Sequence, residues 1–191
     1  MKPAVGRSRP AVFLDRDGVL NDAMVRDGRP HPPSTVAEFV LLPGVVDACA
    51  QLRRSGLVLV VVTNQPDIAR GSQDAATVVH MHELLNAFLQ LDAIYVCPHD
   101  DTWRCECRKP APGMLVAASH ELGLDLTESF MVGDRWRDIE AGKRAGCRTI
   151  HIDRHYSEKG PDHPDLVVAD LPSAVRWIQA VRGGTKETRS A

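Results

Sequence analysis

Apolar residues in this chain fall into short solid runs separated by longer stretches with helical spacing. Ala11 to Leu14, Leu57 to Val62, Ala93 to Val96 and Phe130 to Val132 are each too short for a buried helix and mostly rich in β-branched side chains, so they predict buried parallel strands. Thr149 to Ile152 and Leu166 to Val168 predict two more. Gly44 to Ser55, Asp74 to Gln90, Pro112 to Leu122 and Trp136 to Ala145 repeat apolar residues at helical intervals, and Ser173 to Val181 adds a last helix. Gly56, Gly123 and Gly146 stand where a helix end favours positive φ, and Pro112 suits a first turn. Strands alternating with helices predict an α/β fold, an open parallel sheet covered by helices on both faces.

Polar residues follow the strand runs in a telling way. Asp15 follows the first, Thr63 and Asn64 the second, Cys97 the third, and Asp134 comes one glycine after the fourth. Open parallel sheets bind ligands beyond the carboxyl ends of their strands, so these residues are expected to converge on one edge. Asp15 and Asp17 lie two apart, and on extended backbone both carboxylates face one cavity while Arg16 points elsewhere. Two such anions stay ionised cheaply only with a cation between them, or one of them takes a proton. Hard oxygen ligands suit Mg²⁺, with Asp15, Asp17 and Asp134 as the expected set and Asp138 supporting it from one turn away.

Length and charge narrow the possibilities. The 191 residues are enough for one sizeable domain, expected over 11–182, with loose ends at 1–10 and 183–191. Basic residues number 23 and acidic residues 25, so general attraction to nucleic acid or to an anionic membrane is not expected. With no apolar run of membrane or secretory length, a cytoplasmic monomer is expected. Five cysteines make an odd count, and three of them crowd together. Cys97, His99, Cys105 and Cys107 offer three thiolates and an imidazole, the closed donor set of a structural Zn²⁺ rather than the open set of a catalytic one. A loop pinned in this way holds the next two residues, the cations Arg108 and Lys109. Cys49 and Cys147 read as small buried apolar residues.

Four elements occur in order: Asp15-Arg16-Asp17-Gly18-Val19, Thr63-Asn64 after a strand, Lys109 before a proline, and Gly133-Asp134 with Asp138. Together they resemble the motifs of the haloacid dehalogenase (HAD) superfamily of phosphatases. The resemblance implies a Rossmann-like fold and a phosphomonoesterase in which Asp15 is the nucleophile, Asp17 the general acid and base, and Thr63 and Lys109 hold the phosphoryl oxygens. Cys97-Pro98-His99 and Cys105-Glu106-Cys107-Arg108-Lys109-Pro110 look like the branch of heptose-bisphosphate 7-phosphatases and histidinol-phosphate phosphatases. Thr63-Asn64-Gln65, Ile68-Ala69-Arg70-Gly71 and Pro112-Gly113-Met114 resemble the heptose enzymes more closely, implying a sugar bisphosphate bound by Thr63, Asn64, Gln65, Arg108, Lys109 and Arg135. Pro66-Asp67 departs from the pattern, and Asp67 is expected to bring a negative charge to the ligand. The short intervals between motifs leave no room for a large cap domain, so Met24 to Pro33, Gln65 to Gly71 and the cysteine loop are expected to shape an open site. A reading from another class, a non-catalytic zinc module that binds a partner, leaves Asp15 without a task.

Overall fold

The computed structural model describes residues 8–187. In chain order the strands are β1 (Ala11–Leu14), β2 (Met24–Arg26), β3 (Arg29–His31), β4 (Val58–Asn64), β5 (Ala93–Cys97), β6 (Phe130–Gly133), β7 (Arg148–Ile152) and β8 (Leu166–Val168). The helices are α1 (Val45–Arg54), α2 (Pro66–Ala69), α3 (Ala75–Leu89), α4 (Gly113–Leu122), α5 (Trp136–Ala145) and α6 (Leu171–Glu187). Every residue of β1 is buried, because this strand is flanked by parallel neighbours and covered on both faces. Its side chains alternate between two cores. Val12 and Leu14 pack with residues of α1, α3 and α6, whereas Ala11 and Phe13 pack with residues of α4 and α5. The result is three layers, helices on a six-stranded parallel sheet on helices.

The strand order is β5-β4-β1-β6-β7-β8. From β1 the chain builds outward through β4 to β5, then returns to the other side of β1 and builds outward through β6, β7 and β8. This reversal makes β1 and β6 the switch point, where loops leave adjacent strand ends in opposite directions and open a crevice. Leu14 pairs with Val132 in the register, and the Asp15 N–H donates to Val132 O at 3.0 Å. Asp15 and Asp134 therefore emerge side by side.

All six predicted sheet strands and five predicted helices are present. Two expectations change. The tail was expected to loosen at Gly183, but α6 continues to Glu187, and the remainder lies outside the described residues. Arg9, expected in a loose start, is fastened beside Leu124: its N–H donates to Gly123 O and its carbonyl accepts from Asp125 N–H. An element not foreseen is the antiparallel ribbon of β2 and β3. Its turn is Asp27-Gly28 with φ of 51° and 72°, the left-handed pair that a two-residue hairpin requires. No helix among the described residues is long and apolar enough to cross a membrane.

Candidate active site

Three carboxylates meet at the switch point. Ligand atoms of Asp15, Asp134 and Asp138 lie within 4.8 Å of one another, and all three residues are buried. Asp15 leaves β1, Asp134 leaves β6, and Asp138 sits in the first turn of α5, where one of its oxygens accepts the Arg135 N–H at 3.0 Å. The Lys109 ammonium bridges them, 2.8 Å from Asp15 and 2.5 Å from Asp138, and it donates to Val62 O at 2.7 Å. Three carboxylates against one ammonium, if all ionised, leave a double negative charge among buried residues, which a divalent cation would cancel. The energetics agree. Burial pushes the Asp15 carboxyl up to about 6 against the pull of Lys109, and burial with the charges of Asp15 and Asp138 raises Asp134 well above the carboxylate range. Lys109 moves the other way: burial disfavours its charge, but Asp138 and Asp15 together outweigh that and raise its pKa. The Asp134 carboxylate has the Tyr156 hydroxyl as a neighbour and no cation or amide donor in good geometry, so it remains available to a metal ion. Gly18 makes room for it. A Cβ there would stand 1.9 Å from Asp134 Oδ2, and φ is +82°.

The Asp17 carboxylate is turned away from this group. Arg16 grips it with a fork, Nε to Oδ1 at 3.1 Å and Nη2 to Oδ2 at 2.9 Å. Asn21 Nδ2 donates to Oδ1 and Gln65 Nε2 to Oδ2, at 2.9 and 2.8 Å. Four donors on two oxygens hold the Asp17 side chain, and the carboxylates within 4.8 Å of one another are those of Asp15, Asp134 and Asp138. Arg16 does not line the cavity that Asp15 and Asp17 face: its fully buried guanidinium is paired with Asp17, and His82 Nε2 lies 3.1 Å behind it. Burial and the Arg16 charge hold His82 down to about 4, so the ring is neutral and accepts from Arg16.

Other expected contacts divide into those that face the cavity and those that hold it together. Thr63, Asn64, Arg108, Lys109 and Arg135 line a cavity of about 380 Å³ with Asp15, Asp17, Asp134 and Asp138. Gln65 does not line it. Its side chain is 1% exposed, and its amide ties Asp17 to Thr63 Oγ1 at 2.9 Å. Asn64 serves both ends, since its side chain donates to Lys109 O at 3.0 Å and accepts Lys109 N–H at 3.1 Å. Arg135 is forked onto Glu158, Nε at 2.8 Å from Oε1 with Nη2 against Oε2. Arg70 pairs with Asp67 at 3.2 Å, so the negative charge expected from Asp67 is matched.

The second cluster is local. Cys97 Sγ is 3.8 Å from Cys105 Sγ, 3.2 Å from Cys107 Sγ and 3.6 Å from His99 Nδ1, and His99 Nδ1 is 3.2 Å from Cys107 Sγ. A tetrahedral zinc site with bonds of about 2.3 Å to sulfur has donor separations of about 3.8 Å, so the four side chains fit one ion with little movement. Trp103 stacks on His99 at 5.1 Å. Behind the loop, Gly113 opens α4; a Cβ at this glycine would meet Glu106 O at 2.2 Å.

Comparison with known proteins follows the same lines. A model of the HAD-hydrolase-like family matches residues 106–174. The D-glycero-beta-D-manno-heptose-1,7-bisphosphate 7-phosphatase of Yersinia pestis is 38% identical, the match covering 89% of this chain and 97% of that one. This chain belongs to the HAD-like hydrolase family. The Escherichia coli K12 enzyme of the same name is 37% identical over 92% of this chain and 98% of that one. The D,D-heptose 1,7-bisphosphate phosphatase of B. bronchiseptica, whose crystal structure contains magnesium and phosphate, superimposes with a TM-score of 0.78 at 31% identity, covering 90% of this chain and 98% of that one. In this HAD-like hydrolase the cavity also includes Arg29 and His31 of the ribbon, Arg70 and Asp101, which lie in the three segments expected to shape the site, and Arg137, which lies outside them. The Asp27-Gly28 dipeptide was the available signal for the ribbon. Nothing in the sequence singled out Asp101 or Arg137.

Proposed function

We propose that this chain is a Mg²⁺-dependent phosphomonoesterase that works through an aspartyl phosphate on Asp15 and removes the 7-phosphate of D-glycero-D-manno-heptose 1,7-bisphosphate. The observation that carries the chemistry is the Asp15 carboxylate, buried at a central strand end, held by one ammonium and adjoining the Asp134 carboxylate. The names of the 38% and 37% identical relatives support the substrate.

Asp15 and Asp134 would hold the metal ion, which when bound supplies the positive charge that lets an anionic nucleophile approach an anionic ester. An Asp15 oxygen forms the new bond to phosphorus as the ester bond breaks. Thr63 Oγ1 accepts from Gln65, so its own proton is free to donate to a phosphoryl oxygen, while Lys109 offers its charge beside Asp15. Asp17 protonates the departing alkoxide, then takes a proton from the water that attacks the aspartyl phosphate and restores Asp15. With both Asp17 oxygens saturated by donors at rest, it must release one partner before it carries a proton. Cys97, His99, Cys105 and Cys107 would hold a structural Zn²⁺, and their thiolates suit a reducing, cytoplasmic compartment.

The test is a side-by-side measurement of phosphate release from the heptose bisphosphate and from histidinol phosphate, with and without Mg²⁺. We expect turnover of the heptose ester only with Mg²⁺, at a kcat/KM about a hundredfold above that for histidinol phosphate. The reverse preference would overturn the substrate, and metal-independent turnover the mechanism.

A further inference from the structure

We infer that Tyr156 is a positioning residue for the metal centre: its hydroxyl, delivered by the loop between β7 and β8, holds the Asp134 carboxylate in the orientation that presents an oxygen to the ion. The inference rests on the Mg²⁺-dependent reading above and adds to it a residue outside the recognised motifs.

Asp134 stands between two cavities. It lines the reaction cavity with Asp15 and Asp138, and it also lines a smaller one of about 70 Å³ with His151, Tyr156 and Glu158. Tyr156 lines the smaller cavity and not the reaction cavity, so its hydroxyl comes to Asp134 from behind and leaves the side toward Asp15 clear. Both groups crowd the same glycine. A Cβ on Gly18 would lie 1.9 Å from Asp134 Oδ2 and 2.8 Å from the Tyr156 hydroxyl, so bare backbone is what lets the two meet. An ionised carboxylate has no proton to give, and the phenol O–H is therefore the donor. A carboxylate that offers one oxygen to an ion can still turn about its last bond. A donor behind it stops that rotation.

The loop is tied down on either side of Tyr156. Before it, Arg154 Nε donates to Gly18 O at 2.8 Å, and Asp153 Oδ1 accepts the His155 N–H at 2.8 Å, closing a bend in which His155 has φ of 57°. After it, the Ser157 N–H donates to Gly28 O at 2.7 Å at the tip of the ribbon, and Glu158 takes the fork of Arg135, the neighbour of Asp134 in the chain. Gly18, Gly28 and Arg135 belong to the loop after β1, the ribbon and the end of β6, which are the walls of the site itself. The hydroxyl is thus set against the centre before any ion arrives, and little freedom is lost when one binds. Packing of the loop would need the ring alone; the hydroxyl adds a donor to the carboxylate that both cavities share.

Calorimetric titration of Mg²⁺ into the wild type, Tyr156→Phe and Tyr156→Leu, all dialysed free of Mg²⁺, tests this. Tyr156→Phe keeps the ring and loses only the donor, and its Kd for Mg²⁺ should rise about tenfold, as should that of Tyr156→Leu. The Mg²⁺ concentration giving half-maximal phosphate release from p-nitrophenyl phosphate should rise by the same factor. A melt of Tyr156→Phe in Mg²⁺-free buffer, expected within about 4 °C of wild type, separates lost affinity from lost fold. Wild-type affinity in Tyr156→Phe overturns the inference. So does a loss confined to Tyr156→Leu, or one that accompanies a melt lowered by more than about 10 °C in Tyr156→Phe, because either assigns the residue to packing. A wild type that takes up no Mg²⁺ refutes the metal-dependent reading as well, whereas variants that bind Mg²⁺ as the wild type does refute only the role of Tyr156.

Discussion

The two clusters of metal-binding type differ in how their donors are used. At the switch point Asp15, Asp134 and Asp138 come from two strand ends and a helix turn, carry excess negative charge and include, in Asp134, a carboxylate whose side-chain neighbour is the Tyr156 hydroxyl rather than a cation. The cysteine loop draws its four donors from eleven residues, and they meet one another at separations that a single ion closes completely. An open, overcharged set suits a site that must exchange ligands during a reaction, and a closed set suits a brace. Damage to the first should cost chemistry and spare the fold; damage to the second should do the reverse.

The largest expected effect comes from breaking the open cluster. Asp15→Asn should lower kcat by at least about a thousandfold, since the reaction then lacks its nucleophile. The melting temperature should hold or rise, because one of three crowded buried carboxylates is neutralised. A thermal melt by circular dichroism beside a phosphate-release assay reads both quantities, and a collapsed fold would contradict the contrast. The closed cluster should respond oppositely. Cys105→Ser is expected to remove bound zinc and about 3 kcal/mol of stability, lowering the melting temperature by about 10 °C. Metal analysis of the purified variant and its melt are the measurements, and a metal-free variant as stable as wild type would end the brace reading.

The smallest effect sharpens the open side. His82 stands behind the Arg16 grip on Asp17, its folded pKa held at about 4 by burial and Arg16. The unfolded chain takes the proton near pH 6.5, which the folded chain refuses until about pH 4. Stability is therefore complete above the unfolded value and drains as pH falls between the two, by about 3 kcal/mol. His82→Gln keeps an acceptor for Arg16 and should flatten this part of the curve in denaturant titrations across the range.

Legibility in the sequence follows the distance over which each feature is decided. The strands of the sheet were readable because β1, β4 and β6 are buried on both faces and so are apolar without interruption. The cysteine cluster was readable because its spacing is local. Asp15 and Asp134 could be found because strand ends converge in any such sheet, but the role of Asp138 in the inner group and the turning of Asp17 depend on which donors surround them. Arg16 and Asn21 lie in the loop after β1 and Gln65 follows β4, and no pattern in the chain announces that they share one carboxylate. The ribbon was legible and missed: Asp27-Gly28 is a strong hairpin signal, but its strands, only three residues each and largely exposed, have no apolar alternation to flank it.

The paired hydrogen bonds between the Asn64 amide and the Lys109 backbone have a design consequence. They register the lysine directly on the end of β4, so the ammonium keeps its address whatever the residues between His99 and Cys105 become. That stretch is an interchangeable part: grafting a longer or differently charged segment there would retune what the cavity accepts while the reacting centre stays put.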